Sequence, residues 1–489
     1  MISVFLREQK RYSQQELVRD FKCSEDKTVR ILKRLKEYGV LKAVNANETQ
    51  KDLTDLVEED IEIADVETGE NEYFYVFTYV GVITIEGRVL KCYPKYLLNA
   101  QNPVSELKQV LKVLEKYNSK EQIIRMYNET SDSSAFNMLA VMLFLLQDYH
   151  DYGPYTNTQD IIESNGSGDI LWDKTINETF TLLSNNRPYY PELLTIKRVD
   201  DDFDYFKRLH ECVLTRCTKE LQDADLLDLF EILGVDVSDE QIDDFGDKEY
   251  ILDRIIKELN VQFNTRKQLL LKTLYAFISN SRALDDLDCF SMFGTNSFNL
   301  VWETVCAEVM DNQLQKPIGG LKLPVPLSNA YRHLRTRKLI DLIEKPLWID
   351  SDEFGSYSKS AQQTLIPDLI SIVKLNGEHH FIIFDAKYYN LQLQRDRKLQ
   401  GQPGIESITK QYMYELAYRD FIKAHQIMKV KNCFLMPTAC NEIINKGFVS
   451  LNVFEGLNLQ NIQIRLLPAS LLYRYYLDNI KFDISSLEL

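Results

Sequence analysis

The strongest chemical signal in this sequence is two aspartates and a lysine grouped around one tight turn. Two apolar, β-rich runs, Asp368 to Leu375 and Glu378 to Asp385, flank Asn376-Gly377, and Ala386-Lys387 follow. Asn-Gly between such runs predicts a two-residue type I′ hairpin, because both turn positions need positive φ. With that turn, residues whose numbers sum to 753 face each other, so Asp368 lies opposite Asp385, with Cβ atoms roughly 4.5–5.5 Å apart. Lys387 points to the same face as Asp385, and Ala386 points away. Opposed carboxylates destabilise a sheet and raise each other's pKa unless a cation lies between them. Hard oxygen ligands and few carboxylates suit Mg2+, with Mn2+ able to substitute. Water activated beside such an ion, with an ammonium group to stabilise charge developing on phosphate, attacks a phosphodiester. The alternative, an exposed hairpin whose acids are merely solvated, fits poorly with the apolar character of both runs.

The order Pro367-Asp368, sixteen residues, Asp385-Ala386-Lys387 resembles the motif of PD-(D/E)xK nucleases. The resemblance implies that Asp368 and Asp385 ligate Mg2+, that the Ala386 carbonyl is a third ligand, and that Lys387 is the catalytic lysine. Such nucleases often take another acid from a preceding helix. Phe298, Val301, Trp302, Val305, Cys306 and Val309 form one apolar helical stripe, and Glu303 projects off it. Glu303 is thus the candidate for a further catalytic acid and metal ligand, with an ordinary surface glutamate as the alternative; Glu308 sits nearer the stripe's edge. After the motif, related nucleases carry a Gln-x-x-x-Tyr element that touches substrate, which points to Lys410, Gln411 and Tyr412. The fourth residue after Gln411 is Glu415, so Tyr414 and Tyr418 are either substrate contacts or core. Residues 386–432 hold nine basic and four acidic side chains, a positive patch able to gather phosphate backbone.

A narrower resemblance covers most of residues 73–450. Gly81-Val82-Ile83 followed by Pro94-Lys95, then Gly168 to Ile176 with Trp172, then Arg187-Pro188-Tyr189-Tyr190-Pro191, and Val301-Trp302-Glu303, are similar to McrC-like subunits, most specifically the LlaJI-type branch. It implies a bacterial, cytoplasmic restriction (phage-defence) subunit that cleaves DNA with a McrB-like AAA+ GTPase as partner, the partner also reading the DNA sequence. The sequence contains no G-x-x-x-x-G-K-[ST] loop of its own, so nucleotide energy would come from that partner.

The elements that must position these residues give an α+β, multidomain chain. Residues 1–72 read as a winged helix-turn-helix with an acidic loop. Ser13 with Glu16 is a capping box for a helix to Phe21, and Ser24 caps a second helix that ends at Gly39. In that second helix Val29, Leu32 and Leu35 face one way, and Lys27, Arg30, Lys33 and Arg34 are candidate DNA contacts. A solvated face or a protein-docking module is the alternative. Residues 1–44 carry eleven basic and six acidic residues, whereas Glu48 to Glu72 carries eleven acids and one lysine. Residues 73–102 read as a small β-unit. Its turn at Glu86-Gly87 is expected to be exposed, and its aromatic run Tyr73 to Phe77 exceeds what one face of a small sheet buries; the resemblance makes it the partner-binding region. Residues 103–285 read as a mostly helical middle domain, interrupted by an extended linker strand within Gly166 to Leu193. Residues 286–489 read as an α/β restriction-endonuclease-like nuclease domain with a mixed sheet.

The whole chain of 489 residues carries a formal charge of −16, so any nucleic-acid site must be a local basic patch rather than the general surface. The longest apolar run, Met138 to Leu146, is about half of a bilayer span, which predicts a protein without a membrane segment. The eight cysteines include no C-x-x-C pair, which argues against structural zinc or a disulfide framework. Three functions stay open on these grounds: a Mg2+-dependent DNA endonuclease subunit driven by a GTPase, a self-sufficient restriction endonuclease reading DNA with its winged helix, and a non-enzymatic DNA-binding regulator.

Overall fold

The computed structural model describes residues 1–45, 73–99, 103–118, 137–200, 204–280, 290–352, 355–396 and 398–489; the expected acidic loop, 48–72, lies outside them. The chain divides into two compact units. One contains 2–83, 88–133 and 293–489, and the other is built mainly from 134–292.

The larger unit opens with a strand the sequence patterns did not suggest, β1 (Ile2–Arg7). Strand β2 (Arg11–Ser13) leads into α1 (Gln14–Phe21), where Ser13 and Glu16 make the reciprocal capping box. Helix α2 (Glu25–Glu37) follows, and Ser24 at its start makes no side-chain cap. Its buried face is Thr28, Ile31, Leu32 and Leu35 rather than one containing Val29, which is only half-buried. Arg30 and Lys33 are exposed, whereas Lys27 and Arg34 are partly buried and engaged in contacts.

Strands β3 (Leu41–Asn45) and β4 (Tyr73–Phe77) complete an antiparallel sheet in the order β2-β4-β3. The aromatic run therefore joins the sheet beside α1 and α2 instead of standing in a separate β-unit, and Tyr75, Val76 and Phe77 are buried. Strands β5 (Val80–Ile85) and β6 (Arg88–Tyr93) are buried along their whole length. Their turn is also not the exposed tip expected, because Glu86 is only 3% exposed. β1 pairs in parallel with β6. Gly81, at φ 141°, lies so close to the backbone near Phe293 that a Cβ would meet the Phe293 carbonyl oxygen at 2.1 Å. Only glycine allows that approach. Helix α3 (Val104–Asn118) buries the expected Leu107, Val110, Leu111 and Leu114.

The second unit contains α4 (Met138–Tyr152), whose apolar run is core. Strands β7 (Thr158–Ser164), β8 (Asp169–Ile170) and β11 (Leu194–Asp200) form a three-stranded sheet in the order β7-β11-β8. The segment expected to be a linker strand instead folds into α5 (Trp172–Glu178) and the hairpin β9 (Leu182–Ser184) with β10 (Arg187–Tyr189). Helices α6 (Tyr205–Asp223), α7 (Leu227–Phe230), α8 (Lys248–Val261) and α9 (Thr265–Ser279) complete the unit. Among the described residues no helix is long and apolar enough to cross a membrane.

The chain then passes through β12 (Phe290–Thr295), which extends the N-terminal sheet to β1-β6-β5-β12. Next come α10 (Phe298–Val309) and an exposed ribbon, β13 (Leu347–Asp352) with β14 (Gly355–Ser360). Strands β15 (Leu369–Leu375) and β16 (Glu378–Ala386), helix α11 (Ile405–Ala424), and strands β17 (Lys429–Thr438), β18 (Ile444–Val449) and β19 (Ile462–Pro468) follow. These strands form one mixed sheet in the order β15-β16-β17-β19-β18, parallel at its centre and antiparallel at both edges. The parallel step from β16 to β17 uses α11 as its crossover. Helix α12 (Ala469–Leu477) packs on α3 and α10.

Candidate active site

The hairpin forms in the expected register. Leu369 faces Phe384 and Leu375 faces Glu378, with Asn376 at φ 50° and Gly377 at φ 87° making the turn. Asp368 stands immediately before β15 and Asp385 lies within β16, so the two occupy the next opposed position. The Asp368 Oδ2 accepts a hydrogen bond from the Ala386 N–H at 2.9 Å. Asp385 is 4% exposed. Burial, a hydrogen bond to the Asp368 carboxyl and that group's negative charge push the Asp385 carboxyl well above the usual carboxylate range, and Lys387 opposes the shift. Lys387 places Nζ 3.0 Å from Asp385 Oδ1. Burial disfavours the Lys387 ammonium, but the charges of Asp385 and Asp368 outweigh it and raise its pKa.

Glu303, on α10, lies near enough to feel the charges of Asp368 and Lys387. Burial and the charge of Asp368 raise its carboxyl to about 7, against the pull of Lys387. Glu308 is exposed. Helix α10 is held here because its stripe is core and because Trp302 donates from Nε1 to the Leu435 carbonyl at 3.1 Å. The turn after the helix then fastens onto β15. Asn312 donates to the Asp368 carbonyl and accepts from the N–H groups of Ile370 and Leu314, and Ser371 Oγ donates to the Met310 carbonyl at 2.6 Å.

The element after the motif behaves differently from its expectation. Gln411 is fully buried, its amide donating to the Ile383 carbonyl at 2.9 Å, and so braces β16 instead of facing substrate. Tyr412 is core, its ring 5.2 Å from that of Phe454. Lys410 is exposed and paired with Glu406; Glu406 also senses the charge of Lys387, which puts the first turn of α11 beside the site. Tyr418 is core, with its hydroxyl on the Leu339 carbonyl. Tyr414 donates to the Ile366 carbonyl at 2.9 Å, and burial, then the charges of Asp385 and Asp368, raise its pKa. Of the two tyrosines, Tyr414 is therefore the one near the carboxylates.

Two residues were missed. Tyr388 follows Lys387 and points the other way; its hydroxyl donates to Glu8 Oε2 at 2.6 Å. Glu8 is buried, which raises its pKa, and the charge of Lys95 opposes this. The Lys95 N–H donates to the same carboxylate at 3.1 Å, and its ammonium lies 4.6 Å from the Tyr388 ring centroid. The ends of β1 and β6 thus clamp the residue next to Lys387. A lone glutamate after an apolar strand, 380 positions from its partner, leaves no spacing signal.

Among the described residues, no three His, Cys, Asp or Glu side chains are grouped as a ready-made metal cage. The carboxylate pair nevertheless fits a divalent ion: both groups are hard oxygen donors, and burial beside Asp368 disfavours the charge on Asp385, a cost that a dication relieves. A lysine beside paired carboxylates can offset charge that develops on a bound anion. The chain belongs to the LlaJI restriction endonuclease family, whose sequence model it matches over residues 79–325 and 331–471; it is a nuclease of a restriction system. It is 26% identical over 419 residues to the type II restriction enzyme BsuMI component YdjA of Bacillus subtilis (strain 168), covering 84% of this chain and 83% of that protein. Two solved structures are similar at 12% identity. One is a refined half-complex of Thermococcus gammatolerans McrB AAA+ hexamers with bound McrC, covering 98% of this chain and 99% of the matched chain at a TM-score of 0.36. The other is the McrBC complex of the same organism, covering 62% and 84% at a TM-score of 0.26.

Proposed function

We propose that this chain is the Mg2+-dependent cleaving subunit of its restriction system, hydrolysing DNA phosphodiesters at Asp368, Asp385, Lys387 and Glu303 under the control of a nucleotide-hydrolysing AAA+ partner. The observation that carries the reading is the opposed Asp368–Asp385 pair with Lys387 at 3.0 Å. Asp368 and Asp385 would hold the ion, with the Ala386 carbonyl and Glu303 as further candidate ligands; when bound, Mg2+ supplies charge neutralisation at the phosphate and lowers the pKa of water. Lys387 keeps its proton at Nζ and offsets charge developing on the phosphate. Glu303, whose carboxyl burial and the charge of Asp368 raise to about 7 without the ion, would lose part of that rise beside a dication and act as a ligand or proton acceptor.

Support for a partner comes from the sequence, which lacks a phosphate loop, and from the relative's description as a component of its enzyme. McrB is the partner that the family resemblance points to. A second reading, in which the winged helix reads DNA itself, draws on the exposed Arg30 and Lys33. The test is cleavage of plasmid DNA by the purified chain in Mg2+, with and without the AAA+ protein. Cleavage that needs both Mg2+ and the partner supports the first reading. Equal cleavage without the partner favours the second, and cleavage unaffected by Asp385→Asn overturns the site.

A further inference from the structure

The segment between α10 and β15 carries a charge pattern that the site does not use. From Lys316 to Lys338 there are six Lys or Arg residues, one His and no acid, in a chain of net charge −16. Lys316, Lys322, Arg332, Arg335, Arg337 and Lys338 are all exposed. The segment is a closed loop. The N–H groups of Ile318 and Gly319 donate to the carbonyls of Arg337 and Arg335, and that of Leu339 donates to the Lys316 carbonyl. Its apolar residues turn inward: Ile318, Leu339, Tyr331 and Leu334 pack on the core that holds Ile370 and Ile372 of β15 and Tyr414 of α11. The ring of Tyr331 lies 5.3 Å from that of Phe421. The cations are therefore mounted rigidly on the strand that Asp368 precedes.

The ribbon β13–β14 comes next, between this loop and Asp368. Leu347, Trp348 and Ile349 are consecutive, so they cover both faces, yet they are 63%, 74% and 73% exposed. Trp348 is directly opposite Lys359. An isolated two-stranded ribbon gains nothing in stability from three solvated apolar residues, and such exposure marks a contact surface. Two-stranded ribbons fit the major groove of a duplex, and phosphates on both sides of the groove take cations.

We propose that residues 316–338 and the strands β13 and β14 are a duplex-DNA grip, in which the basic loop holds phosphates and the ribbon enters a groove with Trp348 against the base edges. The proposal rests on the nuclease reading for its substrate and extends it by naming the surface that holds the duplex. The experiment is fluorescence anisotropy of the full chain with a labelled duplex in EDTA, across a range of NaCl concentrations. The triple variant Lys322→Gln, Arg332→Gln, Arg337→Gln should bind more weakly and lower the slope of log affinity against log salt by about 2.7, since each phosphate contact contributes about 0.9. The triple variant Lys322→Arg, Arg332→Lys, Arg337→Lys should keep most of the slope, which excludes misfolding as the cause. Trp348→Ala should weaken binding roughly ten-fold with the slope unchanged, as expected for an apolar contact with base edges that neutralises no phosphate. Wild-type slope and affinity in the glutamine variant would overturn the grip, as would loss of AAA+ partner binding with DNA binding intact. If Asp385 is needed for cleavage but the glutamine variant binds normally, the grip fails and the nuclease reading stands. If the salt slopes follow expectation but no metal or partner elicits cleavage, the reverse holds.

Discussion

Glu303→Gln should stabilise the metal-free protein at about pH 8 and leave it unchanged at about pH 4. The Glu303 carboxyl is raised from 4.5 to about 7 in the folded chain, by burial first and by Asp368 second. A group with a raised folded pKa favours folding fully below its unfolded pKa and loses that contribution as pH rises through the folded value. Wild type should therefore lose stability between about pH 4.5 and 7 and level off above it, while the Glu303→Gln variant, whose neutral amide mimics the protonated acid, should not. A shift of this size corresponds to about 3.4 kcal/mol at about 1.36 kcal/mol per pKa unit. Glu303 is only half-buried, and solvent screening reduces the figure to about 1–2 kcal/mol, or a rise of about 2–4 °C in melting temperature for a folding unit of this size. Thermal melts in EDTA at several pH values make the comparison, and Mg2+ at high pH should narrow it by stabilising wild type preferentially. A difference independent of pH, or a variant less stable at pH 8, would refute a carboxylate cluster held at an electrostatic cost.

Asp368→Ala, Asp385→Ala and Lys387→Ala should each reduce DNA cleavage by about 10³-fold or more in a partner-supplemented assay, on the scale of losing one electrostatic contact to the reacting phosphate; wild-type rates in any of them contradict its assignment. Mg2+ at about 100 times its dissociation constant should stabilise wild type by about 2.7 kcal/mol, and calorimetry should find that increment missing from the Asp368→Ala/Asp385→Ala double variant. Tyr388→Phe should leave Glu8 short of a donor, cost about 1–3 kcal/mol in denaturant unfolding, and lower kcat more than it raises KM, because it loosens the support of Lys387 without touching substrate. Asn312→Ala removes three hydrogen bonds, two of which hold Asp368 and Ile370, and should cost about 2–4 kcal/mol, with weaker Mg2+ binding as the distinguishing readout.

What was legible in the sequence was local. Asn376-Gly377 admits one tight turn, and a side-chain period of two then dictates that Asp368, Asp385 and Lys387 share a position and a face, whatever surrounds them. The same holds for the Ser13–Glu16 capping box and for the α10 stripe that leaves Glu303 off the buried side. What failed depended on distant partners. The run from Tyr73 to Phe77 looked surplus to a small sheet, yet β2, β3 and the helices beside them bury it. The family resemblance makes Gln411 and Tyr412 candidate substrate contacts, but α11 is covered on more than one side and turns both inward. The clamp of Glu8, Tyr388 and Lys95 exists only because β1 and β6 run in parallel and end beside Lys387. A strand's own pattern states which faces it buries, and pairing across hundreds of residues is settled by packing that no local window contains.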